Sequence, residues 1–151
     1  MLNKREKLKV LFLCTRNSCR SQMAEGWTRH LKADTIEAFS AGIEKYELDP
    51  RAVLVMAEAG IDISRQYSKT TEQLGDVEFD YVVTVCDRAQ SNCPLFPGGA
   101  KMIHVGFDDP PALASNTVHE EGKLAHYRRV RDEIRAFVET LTESLICGQG
   151  N

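Results

Sequence analysis

An apolar run, Val10-Leu11-Phe12-Leu13, ends on Cys14, and six residues later Arg20 opens a helical pattern through Met23, Ala24 and Trp27. The segment between them, Thr15-Arg16-Asn17-Ser18-Cys19, is short and polar. This reads as strand, tight loop, helix, with a cysteine where the strand ends and an arginine where the helix begins. Such a loop suits an oxyanion. Its successive backbone N–H groups converge into a nest, and the helix start adds unpaired donors and partial positive charge. Arg20 offers a planar fork of donors to two oxygens of a tetrahedral anion. A thiolate at Cys14, favoured by the same field, is a nucleophile aimed at the centre of whatever anion is held there. Thr15, Arg16, Asn17, Ser18, Cys19, Arg20 and Ser21 are therefore the candidate oxyanion-binding residues.

A β-to-α loop of this kind belongs to an α/β sheet, and the rest of the chain agrees. Lys9–Leu13 predicts strand one, Ser21 to about Lys32 the first helix, and Thr35–Ser40 strand two, ended by Ala41-Gly42. Asp49-Pro50 supplies a cap and a first-turn proline, so the second helix runs to Ala59 before Gly60, with Ala52, Val53, Met56 and Ala59 inward. Ser68–Leu74 predicts a brief helix, Tyr81–Val85 a β-branched third strand and Lys101–Val105 a fourth. Gly106–Asn116, with Asp108-Asp109-Pro110-Pro111, reads as loop. His119 to Ile146 predicts one long amphipathic helix: Leu124, Tyr127, Val130, Ile134, Phe137, Leu141 and Leu145 face inward, and His119, His126, Arg128, Arg129 and Arg131 form its solvated side.

Alternating strands and helices imply right-handed crossovers and a small parallel sheet with helices on both faces. Ligands bind such sheets outside the carboxyl ends of the strands. Cys14, Cys86 and the Asp109 loop all fall on that rim. At 151 residues one domain is expected across 1–151, with 1–8 and 147–151 frayed. The net charge of −3, from 19 basic and 22 acidic residues, gives no global reason for binding nucleic acid or an anionic membrane. No apolar stretch approaches the roughly 20 residues that span a bilayer, and the charged N-terminus lacks the pattern of a signal peptide. Five cysteines (Cys14, Cys19, Cys86, Cys93 and Cys147), an odd set, favour reactive thiols in a reducing, cytoplasmic setting over a disulfide scaffold. Their spacings are too wide for most structural zinc sites, and no metal is expected.

The Cys14-(five residues)-Arg20-Ser21 loop resembles the phosphate loop of low-molecular-weight tyrosine phosphatases and thiol-linked arsenate reductases. The run Asn17-Ser-Cys-Arg-Ser-Gln-Met-Ala-Glu-Gly-Trp27 looks like the reductase branch in particular. Phe39-Ser40-Ala41-Gly42, Val82-Val-Thr-Val-Cys86, Cys93-Pro94 and Gly106-Phe-Asp-Asp-Pro110 extend the resemblance over nearly the whole chain. It implies a four-stranded order 2-1-3-4. It also implies that Cys14 attacks arsenate while Asp109 protonates the departing oxygen, with Asp108 an alternative acid. Cys86 and then Cys93 would relay a disulfide to thioredoxin or another small thiol carrier, with no bound cofactor. The alternatives are a tyrosine phosphatase using Cys14, Arg20 and Asp109 alone, and a non-catalytic thiol protein. Pro111-Ala112-Leu113 follow where such phosphatases usually carry aromatic residues. Arg16 stands where the thioredoxin-coupled reductases usually carry glycine. Their potassium ligands match Asn17, Glu25 and Ser40, but the fourth position, an aspartate there, is Lys69 here, so potassium is not expected.

Overall fold

The computed structural model describes residues 7–85, 99–142 and 145. Four strands, β1 (Leu8–Cys14), β2 (Ile36–Gly42), β3 (Tyr81–Thr84) and β4 (Lys101–His104), form one sheet of order β2-β1-β3-β4 with every pair parallel. Leu8, expected to fray, pairs with Ile36, and its N–H donates to Thr35 O. The register sets Cys14 beside Gly42 and Leu13 beside Thr84, so the ends of the strands make one edge.

Alternation along β1 divides the core. Val10, Phe12 and Cys14 belong to the large cluster with Met23, Trp27, Met56 and Ile134, whereas Leu11 and Leu13 pack with Ala41, Phe79 and Val82 on the opposite face. Both sets are buried, which is why the strand reads as a continuous apolar run. The large cluster is covered by α1 (Arg20–Leu31), α2 (Pro50–Glu58) and the last long helix. Among the described residues the smaller cluster has Leu74, from a 3₁₀ turn at Thr71–Leu74, packed against it. Trp27 is 2% exposed, and its Nε1 donates to Arg131 O, fastening α1 to the long helix.

Three expectations need correction. Gly106–Asn116 is not all loop: α3 spans Pro110–Ser115, with Asp109 at its N-cap and Leu113 N donating to Asp109 O. Consecutive prolines look like breakers, but in a first turn their missing N–H groups have no helical acceptor to lose. The long helix, α4, spans Glu120–Glu139 and is interrupted at Thr140, after which Leu141, Thr142 and Leu145 are again helical. Its buried stripe uses Val138, with Phe137 half-buried, while Leu141 and Leu145 lie buried beyond its end. Arg131 is not on a solvated face either. Its guanidinium is largely covered and donates to Val55 O and Glu58, tying α4 to α2. In α2 the buried residues are Ala52, Val55 and Met56, with Val53 and Ala59 half-buried.

Candidate active site

The site lies at the carboxyl edge of the sheet. Cys14 ends β1, Gly42 ends β2, and Asp109 follows β4 at the start of α3. Between β1 and α1 the loop is held from outside. Thr15 O accepts from the N–H groups of Ile43 and Glu44, Arg16 O from Ser68 Oγ, and Asn17 O from Gln22 Nε2. Ser18 O accepts from Asp49 N and Cys19 O from Met23 N. Every carbonyl from Thr15 to Cys19 thus has a donor. Peptide planarity sets the N–H of each following residue opposite to its carbonyl. The amides of Arg16 through Arg20 therefore point opposite to these anchored carbonyls. Asn17, with φ of 53°, is the left-handed residue that bends the loop into a nest.

Gly42 makes this close fit possible. A Cβ there would lie 2.7 Å from Thr15 O and 2.9 Å from both Arg16 C and Asn17 N, all backbone atoms. Gly42→Ala is therefore expected to push the loop off β2. A clash of about 1–3 kcal/mol corresponds to a loss of roughly 5- to 150-fold in oxyanion affinity if the loop absorbs it. Phosphate titration of the folded variant checks this; unchanged affinity would show that the loop does not depend on this approach.

Around Cys14, Sγ lies 3.1 Å from Ser21 Oγ, which accepts from Asn17 Nδ2 at 2.8 Å. The amide takes one lone pair of the hydroxyl, whose proton can then be donated to a thiolate at Cys14. Arg20 Nη1 donates to Phe107 O at 2.8 Å, and Nη2 stands 3.6 Å from Asp109 Oδ1. One guanidinium thereby ties the cysteine loop to the acid loop. Asp108, the other candidate acid, is drawn away: its carboxylate pairs with Arg129 at 3.0 Å. Cys14, Thr15, Arg16, Ser18, Cys19, Arg20 and Asp109 line a cleft of about 550 Å³. Asn17 and Ser21 are fully buried behind the loop, where their side chains support it.

The two thiols of the loop differ. Burial, and after it the Asp49 carboxylate, push the Cys19 thiol well up, against the opposing pull of Arg20. Cys19 is held as a neutral thiol, which is a poor nucleophile. Asp49 also caps α2 through Arg51 N and accepts from Tyr127 OH at 2.6 Å. Burial first, then this carboxylate, raise the Tyr127 phenol, so it stays a donor. Sequence reasoning assigned Asp49 to a cap and Tyr127 to the core; both line the cleft as well, with Tyr46 and Lys123. Tyr46 sits under the Arg16 guanidinium, 4.9 Å from ring centre to Cζ. Only chain folding brings these residues together, so no local pattern flags them.

The residues matching potassium ligands do not fit that ion. Asn17 Oδ1 accepts from Lys69 N and Gln22 Nε2, and the buried Glu25 carboxylate accepts from Ser40 Oγ and pairs with Arg29. Lys69 replaces an anionic ligand with an ammonium, which burial pushes down and Glu25 partly restores. Cys86, Cys93 and Cys147 lie outside the described residues. Val85, immediately before Cys86, donates its N–H to Leu13 O, next to Cys14.

A strand-loop-helix anion cradle with a cysteine at its centre, on a four-stranded parallel sheet, defines a family. Residues 9–147 match the low molecular weight phosphotyrosine protein phosphatase family, and the chain belongs to it. Within that family, relatives similar to it are named arsenate reductase. One from Halalkalibacterium halodurans is 48% identical over 135 residues, covering 89% of this chain and 95% of that protein. Another, from Bacillus subtilis, is 49% identical over 135 residues, covering 87% and 95%. A solved structure described as an arsenate reductase in the phosphate binding state superposes with a TM-score of 0.71 at 32% identity, over 91% of this chain and 98% of that one.

Proposed function

We propose that this chain is an arsenate reductase that captures arsenate on Cys14 and releases arsenite through a thiol relay. The observation that carries the reading is the hydrogen bonding of all five loop carbonyls, Thr15 through Cys19, to partners in the protein, which commits the peptide planes of the loop after Cys14 and supports a row of amides for an anion. Tetrahedral oxyanions are held by such amides together with the Arg20 fork. The Cys14 thiolate attacks arsenic, and the departing oxygen takes a proton from Asp109 and leaves as water. A thiolate from Cys86 then attacks Cys14 Sγ. The S–As bonding pair moves to arsenic, which departs as arsenite, reduced from As(V) to As(III). The two sulfurs, oxidised together by two electrons, form a Cys14–Cys86 disulfide. Cys93 attacks Cys86, frees Cys14 and leaves a Cys86–Cys93 disulfide for thioredoxin, or another small thiol carrier, to reduce.

The path of β3 beside β1 supports the role of Cys86, since the chain leaves Val85 next to the strand that ends in Cys14. The free-thiol chemistry fits the reducing conditions of the cytoplasm. Among the described residues no helix is long and apolar enough to cross a membrane.

Arsenite release under a thioredoxin regenerating system, compared with hydrolysis of an aryl phosphate by the same preparation, tests the assignment. Sustained arsenite release with slow hydrolysis supports it; fast hydrolysis without arsenite formation would favour a phosphatase. The acid is tested separately. Asp109→Asn has nearly the same shape at the start of α3 but donates no acidic proton, and is expected to slow arsenate turnover by about 10²- to 10⁴-fold. Asp108→Asn, on the Arg129 side of the loop, should cost less than about threefold, because surface ion pairs contribute little. Equal losses in both would reject the choice between them.

A further inference from the structure

We propose that Gln22 is a positioning residue that holds the anion loop in its binding shape; the proposal rests on the reading of this loop as an oxyanion cradle. Gln22 is the third residue of α1 and is fully buried. It reaches back along the chain: Nε2 lies 2.8 Å from Asn17 O, 3.0 Å from Asn17 Oδ1 and 3.0 Å from Tyr67 O. Its own carboxamide oxygen accepts from Gln66 Nε2 at 2.8 Å, and its backbone oxygen from the same nitrogen at 3.1 Å. That second amide fixes which way round the Gln22 carboxamide stands.

The contact falls at the loop's left-handed turn. Asn17 has the backbone that produces the nest, a conformation that asparagine adopts more readily than most residues but that still needs its peptide groups partnered. The Cys19 side chain makes no capping bond at the helix start. The carbonyl of Asn17 is held by the Gln22 amide, and the N–H of Ser18 therefore points the opposite way. Without that donor Asn17 O would be buried and unsatisfied, and rotation of the peptide toward solvent would relieve it. Such a rotation aims a carbonyl at the bound anion in place of an amide. Gln22 does not line the cleft, and acts through the peptide it fixes. By way of Tyr67 and Gln66 it also ties the loop to the 66–67 segment, which is remote in sequence.

The test measures how well sulfate protects Cys14 of the full chain from alkylation, with the urea midpoint recorded for each variant. Sulfate keeps its charge across the working pH range. If sulfate fails to protect the unsubstituted protein, the cradle reading itself fails. If it does protect, Gln22→Leu, similar in size but without donors, is expected to raise the sulfate dissociation constant roughly ten- to hundredfold in the folded protein. A dissociation constant within twofold of the unsubstituted protein overturns the proposal, even where the urea midpoint falls, because Gln22 would then be a core residue only. Should Gln22→Leu not fold, Gln66→Leu at a half-buried position decides. Weakening of sulfate by threefold or more supports the orienting chain, and an unchanged constant overturns it.

Discussion

Cys14→Ser will remove arsenate reduction and any aryl phosphate hydrolysis together, while leaving phosphate bound with little change in affinity. The argument separates chemistry from binding. The amides that hold the anion are set by bonds to Ile43, Glu44, Asp49, Ser68, Gln22 and Met23, none of which involves the cysteine side chain. A serine hydroxyl fits the same position and keeps a polar contact with Ser21 Oγ, 3.1 Å from the present sulfur. What it lacks is ionisation at neutral pH and the capacity to form a disulfide. Turnover should therefore fall below detection, and phosphate titration followed by calorimetry should still show one site. Residual arsenite formation in this variant would place the nucleophile elsewhere. Cys19 is a poor substitute, since burial and Asp49 hold it as a thiol.

The second large effect belongs to Arg20. Its guanidinium keeps Phe107 O at 2.8 Å with one nitrogen and faces Asp109 with another, so two loops depend on one planar group. Arg20→Lys retains the charge but offers one nitrogen with three rotating donors in place of a planar fork. It cannot hold the acid loop and grip two oxygens of the anion at once. Losses near 10³-fold are characteristic of removing a preorganised donor or arginine clamp from a developing oxyanion. We therefore expect kcat/KM for arsenate to fall on the order of 10³-fold, with a smaller loss in phosphate affinity. Steady-state kinetics under thioredoxin regeneration measures this. A lysine variant within tenfold of the unsubstituted protein would mean that charge alone suffices and that the fork has no special role.

Much of this site could be read along the chain because its central part is local. Cys14, the loop and Arg20 lie within seven residues, and a buried strand on one side and an apolar helical stripe on the other place them unambiguously. Gly42 was visible as the end of β2, but its role emerges only from the register that brings it beside Cys14. The loop anchors come from residues 28 to 52 positions away, apart from those in α1, and carry no pattern of their own. α3 was hidden by two prolines, whose use as breakers and as first-turn residues is indistinguishable without the following contacts. Arg131 misled for another reason: a long cationic side chain on a helix normally reaches water, whereas this one spans to the end of α2.

The most direct test of the account is a single turnover of Cys93→Ser with arsenate in the absence of any thiol carrier, followed by mass mapping of the non-reduced protein. Capture by Cys14 and attack by Cys86 precede any work for Cys93. One equivalent of arsenite per chain and a Cys14–Cys86 disulfide are predicted, and addition of a carrier that depends on the Cys86–Cys93 disulfide should not restore continued turnover. Continued arsenite release at the unsubstituted rate with the carrier present, or a single turnover that leaves Cys14 and Cys86 both reduced, would contradict the relay.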